Sequence, residues 1–429
     1  ECENGLTTFE IVTGFKFDGE VIEEISGLQN ITDCLRKCSE IIECKSINFQ
    51  NGFCVIHKSN AVENPDSLRT SKFPVFTVYG EKYCLKGLMI TFEIHYKSRL
   101  NITKVENRNH TSLSITGKQL KNKCTGRSWS HERVVGFQFK LLKFEKRRVF
   151  ALSSKHCIQL CLQEHLFSCR SVNYNKHRNE CSLFDIDRHS ISNSFANYPE
   201  SARSDDSESY FSQSSTDSID YLENNCIDDP QECDFKIVKG RVLNTVDNVY
   251  HNVSSFEECR LKCLHSKYRC FSFDFGINHR SQESRICRTS HLNTASTRHI
   301  DNAFTDIPGA ITYELVSCLN VTVECSARQM IARVKSSKLF NGKVYSKTKP
   351  SSCINDVSNA LDFELTLPYN DLTCDVTQLQ ENTFTSDIVI QYNDRVLTHR
   401  DFSLSVKCRY DMSNQTISNA PLQIDEYAI

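Results

Sequence analysis

Cys34-Leu-Arg-Lys-Cys38-Ser-Glu-Ile-Ile-Glu-Cys44-Lys-Ser-Ile-Asn-Phe49 is the stretch on which the reading of this chain turns. Cysteines four apart share one face of a helix, so both point at whatever lies beneath it and neither bridges easily to the other. The third cysteine opens a short phrase that reads as a strand. The pattern returns at Cys157/Cys161 followed by Cys169-Arg-Ser171-Val-Asn173-Tyr174, and at Cys259/Cys263 followed by Cys270-Phe-Ser272-Phe-Asp274-Phe275. A fourth cysteine closes each set, at Cys54, Cys181 and Cys287. A recurring period of this kind marks a string of small modules and argues against one large catalytic domain.

The chain holds 22 cysteines in 429 residues. That density belongs to an oxidising compartment, and an even count allows complete pairing. Six glycosylation sequons agree with export, at Asn30, Asn101, Asn109, Asn252, Asn320 and Asn414. Glu1-Cys2 reads as the start of a chain whose leader is already gone. No run of about 18 apolar residues is present to span a membrane. Both charge signs are mixed, with a formal sum of −2, so no overall field invites nucleic acid.

The first module runs over residues 1–84 and is followed by a linker over 85–123. Val12-Thr-Gly14-Phe15-Lys-Phe17 alternates as a half-buried strand does. Thr32 stands ahead of the helix as a hydroxyl cap. Asn51-Gly52 between two apolar runs signals a hairpin. The second module, 124–226, repeats these features from Gly136-Phe137-Gln-Phe139 onward. Within it, a Ser/Asp/Glu-rich tract over about 199–222 reads as a mobile loop, too poor in apolar residues to offset its chain entropy. The third module covers 233–318, and Ser255-Phe-Glu-Glu258 has capping-box spacing ahead of its helix.

The last segment, 319–410, differs in kind. Met330-Ile-Ala-Arg-Val334, Lys343-Val-Tyr345, Phe363-Glu-Leu-Thr-Leu367, Ile388-Val-Ile-Gln-Tyr392 and Phe402-Ser-Leu-Ser-Val406 all alternate. Short alternating strands between polar turns indicate an all-β sandwich. Residues 411–429 read as an exposed tail.

The threefold pattern resembles the PAN/apple family, α+β modules with one helix on an antiparallel sheet. Six cysteines alone permit 15 connectivities. The resemblance implies outer bridges Cys2–Cys84, Cys124–Cys226 and Cys233–Cys318. It implies inner bridges Cys34–Cys54, Cys38–Cys44, Cys157–Cys181, Cys161–Cys169, Cys259–Cys287 and Cys263–Cys270. The last segment resembles the N-terminal, immunoglobulin-like half of a zona pellucida (ZP) domain. Val323-Glu-Cys325, Phe340-Asn-Gly342-Lys-Val-Tyr345 and Val406-Lys-Cys408-Arg-Tyr410 carry that likeness. It implies the bridges Cys325–Cys408 and Cys353–Cys374. Tyr410 and Phe340-Asn-Gly342 read as structural, with Gly342 supplying a turn or bulge conformation. PAN modules ahead of a ZP module resemble NompA-like matrix proteins of nematodes and arthropods. That resemblance implies a secreted protein of an apical matrix or cuticle, with other matrix proteins, itself or glycans as partners. It also implies a longer precursor that reaches a membrane anchor. The alternative is a soluble or shed adhesin, or a receptor ectodomain, that binds glycan or protein without polymerising.

No catalytic, metal or cofactor site is expected. Gly-x-Ser-x-Gly, His-Glu-x-x-His and phosphate-binding glycine loops are missing from the sequence. His131-Glu132 and the other histidines lack ligand spacing and read as surface or packing residues. Lys146-Arg147-Arg148 reads as a solvated strand edge, Lys118–Arg127 as a basic linker, and Asp205–Glu208 as a solvated acidic loop.

Overall fold

The computed structural model describes residues 2, 5–71, 75–86, 124–191, 210–214, 218–277, 285–370, 372–380, 382–393, 395–396, 398, 401–409 and 423–424. Residues 87–123 of the expected linker, residues 199–209 and 215–217 of the acidic Ser-rich tract, Asn101, Asn109, Asn414 and Tyr410 lie outside the described residues. Strands at Val78–Lys86, Phe211–Gln213 and Ile219–Asn224 take up the start of that linker and part of the stretch read as a mobile loop. The chain forms two compact units. The first comprises Glu1–Asp187, Glu208–Ile227 and Val238–Thr312; the second comprises Arg188–Ser207, Asp228–Ile237 and Tyr313–Ile429.

In the first module the elements are β1 (Gly5–Thr13), β2 (Phe15–Phe17), β3 (Val21–Ser26), α1 (Ile31–Glu40), β4 (Ser46–Gln50), β5 (Phe53–His57), β6 (Leu68–Thr70) and β7 (Val78–Lys86). Helix α1 buries Ile31, Cys34, Leu35 and Cys38, the i, i+3, i+4, i+7 stripe of an amphipathic helix. It starts one residue before Thr32, after Asn30, whose side chain makes no cap hydrogen bond. Thr32 is therefore inside the helix and does not cap it. Cys34 is bonded to Cys54 on β5 and Cys38 to Cys44 at the entry to β4, so the helix is pinned to the sheet under its apolar stripe. Asn51 and Gly52 both take positive φ (44° and 85°) in the β4–β5 turn, the backbone that an Asn-Gly hairpin needs.

The second module repeats this as β8 (His131–Val134), β9 (Phe137–Phe139), β10 (Glu145–Phe150), α2 (Ser154–Leu162), β11 (Ser171–Asn175), β12 (Glu180–Phe184), β13 (Phe211–Gln213) and β14 (Ile219–Asn224). Ser153 caps α2 by accepting from the His156 amide. The two modules share one ten-stranded sheet, ordered β10-β12-β11-β14-β8-β1-β7-β4-β5-β3. Equivalent strands run outward from its centre, where β1 and β8 pair in parallel through Glu10 with His131 and Ile11 with Glu132.

The third module contributes β15 (Glu232–Leu243), β16 (Asn248–His251), α3 (Phe256–Leu264), β17 (Ser272–Ile277), β18 (Arg285–Ser290) and the start of β19 (Phe304–Cys325). Ser255 accepts from the Glu258 amide while the Glu258 carboxylate accepts from the Ser254 amide, so the expected cap is present with its return bond shifted one residue outward. Gly14, Gly136 and Gly240 occupy the same place in the three modules, each with φ between +74° and +84°. This left-handed backbone suits glycine.

In the second unit, β19 continues into β20 (Gln329–Ser346), β21 (Ile354–Pro368), β22 (Thr377–Gln380), β23 (Thr383–Gln391), β24 (Phe402–Arg409) and β25 (Gln423–Ile424). Among the described residues, the pairings of β20 with β21 and β23, of β23 with β22 and β24, and of β24 with β25 are antiparallel. Alternation sets the faces: Met330, Ala332 and Val334 with Leu365, Leu367, Ile388, Ile390, Leu404 and Val406 form one core around Cys353, Cys374 and Cys408. Strand β20 pairs with β19 over its first half and β23 over its last residues, and its register with β21 shifts between Lys335 and Asn341. A bulge of this kind lets one strand change partners. Gly342 has a different role from the one expected. It carries no positive φ, but a Cβ there would stand 2.0 Å from the Gln391 carbonyl oxygen. Its hydrogen permits close backbone approach, while the bulge falls on the residues just before it.

Candidate functional site

The repeated phrase has a concrete job in each module. Ser46, Ser171 and Ser272 donate to the carbonyls of Ser59, Ile186 and Leu292, tying the first strand of each hairpin to the chain beyond it. Two residues on, Asn48 accepts from the Phe17 amide and donates to the Phe17 carbonyl, and Asn173 does the same for Phe139. The asparagine thus satisfies the backbone of a short strand that, among the described residues, has no ladder partner on that side. In the third module the equivalent Asp274 cannot donate, and it holds Arg288 and Thr312 instead.

The outer bridges Cys2–Cys84 and Cys124–Cys226 close the first two modules and Cys233–Cys318 the third. Cys157–Cys181, Cys161–Cys169, Cys259–Cys287 and Cys263–Cys270 repeat the helix anchors. Cys325–Cys408 and Cys353–Cys374 lie in the second unit. No cysteine is free.

Within the first unit the seams between modules are ionic and buried. Glu10 from β1 accepts from Arg133 Nε at 2.8 Å and lies 3.0 Å from His131 Nε2, both from β8. Burial alone would push the Glu10 carboxyl up; Arg133 and His131 outweigh it and hold the group well below the usual carboxylate range. Arg133 also reaches Asp220, which Lys176 approaches at 3.0 Å. Glu81 is held between the Tyr79 hydroxyl and Lys155 of the second module. Tyr83 meets Ser130 at 2.5 Å, and burial keeps its phenol protonated far above the ordinary range.

All three modules meet at His291. Its Nδ1 lies 2.7 Å from Asp247 Oδ2 in its own module, and its Nε2 lies 3.1 Å from Thr13 Oγ1 of the first. Thr13 donates its one hydroxyl hydrogen to Glu132 of the second module at 3.0 Å, so it can only accept from His291. A carboxylate also only accepts. Both ring nitrogens therefore carry hydrogen, and His291 is an imidazolium between two carboxylates. Burial would lower its pKa; Asp247 and then Glu132 reverse that and raise it to about 10. Trp129, fully buried, packs edge-on against His291 and stacks on Tyr268 with ring centroids 4.9 Å apart. Arg269 completes the seam between second and third modules, 2.9 Å from Asp187, with its amide donating to Asn225.

Sequence reasoning missed this hub. It treated His131-Glu132 as an ordinary pair and did not single out His291. One signal was available: Glu10 and Glu132 both stand four residues before the repeated glycine, at Gly14 and Gly136. The other expected features fall as follows. Lys146, Arg147 and Arg148 lie on edge strand β10, paired with Asp185, Glu164 and Glu145. Asn252 and Asn320 are exposed. Asn30 is half-buried, donating to Asp33 and accepting from the Val249 amide. Among the described residues no group of three or more His, Cys, Asp or Glu is placed to hold a metal ion, and no helix is long and apolar enough to cross a membrane.

The family model for the PAN domain matches residues 2–84, 124–226 and 233–318. No curated protein matches the chain. Among solved structures, the two N-terminal apple domains of Toxoplasma gondii microneme protein 4 align at 9% identity and TM-score 0.15, covering 49% of this chain and 86% of that one. Toxoplasma gondii sporozoite AMA1 aligns at 8% identity and TM-score 0.13, covering 39% and 59%. At these TM-scores neither likeness bears on the fold. The three matched segments span more than half of the sequence, and each holds one helix bridged to an antiparallel sheet; the chain belongs to the PAN domain family, whose modules typically bind protein or carbohydrate.

Proposed function

We propose that this is a secreted structural and adhesive protein of an apical extracellular matrix or cuticle. Its PAN modules bind protein or glycan partners, and residues 319–410 form a ZP-N-type module that supports polymeric assembly. Glycans on exposed Asn252 and Asn320 fit this reading. The observation that carries it is the division of labour in the chain. Three binding modules are fused into one unit by buried ionic seams, while the terminal strands have a core and two disulfides of their own.

A sheet edge gives the assembly route, since an edge strand can take a strand from another protomer. Strand β22 is fully exposed and pairs only with β23 among the described residues. The test compares secreted yield with matrix incorporation for the full-length protein and for Leu379→Lys on β22. Normal secretion with reduced incorporation is expected, because pairing there would then require desolvating a charge. Unchanged incorporation, together with loss of incorporation when the PAN modules are deleted, would favour the non-polymerising adhesin.

A further inference from the structure

We infer that the ten-stranded sheet of the first two modules joins, edge to edge, with the same sheet of a second copy of this chain, β3 of one copy meeting β10 of the next. This inference stands apart from any role of the terminal module.

The two ends of that sheet are equivalent strands of two modules. Register with the hairpin cysteine fixes the correspondence: Ile25 pairs with Cys54, Val149 with Cys181 and Tyr250 with Cys287. Counting from those pairs, Glu24 corresponds to Arg148 and Val249, and Glu23 to Arg147 and Asn248. The same place on the same edge is acidic in the first module, basic in the second and uncharged in the third. Among the described residues, β3 pairs only with β5, and β10 only with β12.

The uncharged edge shows what this strand does when it is engaged. In the third module the Val249 amide donates to the Gln29 carbonyl and to Asn30 Oδ1, each at 3.2 Å, and Asn248 bridges to Asn30. A neighbouring module of the same chain thus already supplies backbone to this edge once, where no charge opposes it.

The charges on the other two edges select a partner. Two acidic edges or two basic edges repel, whereas an acidic edge accepts a basic one. The basic side chains have carboxylate partners of their own, but these lie deeper. Lys146, Arg147 and Arg148 are 45–51% exposed, whereas their partners Asp185, Glu164 and Glu145 are 29%, 4% and 14% exposed. The outward face stays positive, and surface ion pairs of this kind exchange at little cost. Val21 beside the acidic edge and Phe150 on the basic one are exposed apolar residues that such a contact would cover. Because the two surfaces differ, the contact is head-to-tail and open-ended.

Sedimentation velocity of the full chain tests this. Wild type is expected to form larger species as concentration rises, and fewer of them as salt rises. Glu23→Lys/Glu24→Lys makes both edges basic, and Lys146→Glu/Arg148→Glu makes both acidic. Each variant alone should associate about tenfold more weakly or worse, and an equal mixture should recover association. Wild type that remains monomeric at all concentrations in low salt overturns the proposal without recourse to any variant. So do variants that associate as wild type does, or folded variants whose mixture does not recover. Leu379→Lys in the terminal module should leave this association unchanged, which separates it from assembly through that module.

Discussion

Thr13 and His291 stand 278 positions apart in the chain and share a hydrogen bond of 3.1 Å. The threonine gives its hydrogen to Glu132 and the histidine gives its other one to Asp247, so one charged ring closes a junction of three modules.

That junction should weaken in alkali. The folded-state pKa of His291, about 10, lies above its ordinary 6.5. Its contribution is therefore whole below about pH 6.5 and is lost as pH climbs toward 10. Thermal unfolding of the full chain between pH 6 and pH 10 should show this decline. His291→Gln should flatten the profile and cost about 3–5 kcal/mol, because Asp247 and Glu132 would remain buried without their cation. An unchanged pH profile in the variant would remove His291 from the account.

Glu10 should produce the opposite slope. Its folded-state pKa lies below the ordinary 4.5, so its contribution is present above that value and is lost as pH falls. Glu10→Gln should make the protein less sensitive to acid and less stable at neutrality, because Arg133 loses a buried partner. Together the two groups place maximum stability roughly between pH 4.5 and 6.5. Denaturant midpoints across pH 3 to 7 check the acid limb, and equal acid sensitivity in variant and wild type would contradict it.

The helix and its hairpin were legible because their signals are local. The stripe containing Cys34 and Cys38, the Asn51-Gly52 turn and the repeated glycines each act within a few residues. The cap at Thr32 was misplaced because Asn30 immediately precedes the helix and is already engaged with the third module. The hub could not be read from period or motif. Its members come from β1, β8 and the segments around Asp247 and His291, and only folding brings them together. Gly342 was recognised as constrained, but its cause, a carbonyl on a strand some fifty residues away, leaves no mark near it.

Two glycines should separate these causes. Gly342→Ala drives a Cβ into the Gln391 carbonyl, which is backbone and cannot swing aside. A loss of about 3 kcal/mol in the terminal module is expected. Gly240→Ala meets nothing within 4 Å and suffers only its φ of +80°, a cost of about 1–2 kcal/mol. Chemical denaturation of both variants gives the order; a milder effect at Gly342 would show that β20 and β23 can separate there.

Peptide mapping under non-reducing conditions should recover eleven disulfides, nine within the three modules and two between Cys325 and Cys408 and between Cys353 and Cys374. A peptide joining a cysteine of the modules to one of these four would break the division of the chain.

The three PAN modules are joined into one unit at His291, and residue-resolved hydrogen exchange of the full chain, wild type against His291→Gln, reads that coupling. The result expected is a joint loss of protection at Ile31 in the first module, Asn225 in the second and Phe271 in the third, whose amides donate hydrogen bonds near the module seams or within the third module. Loss confined to the third module, with the first two unchanged, would contradict it.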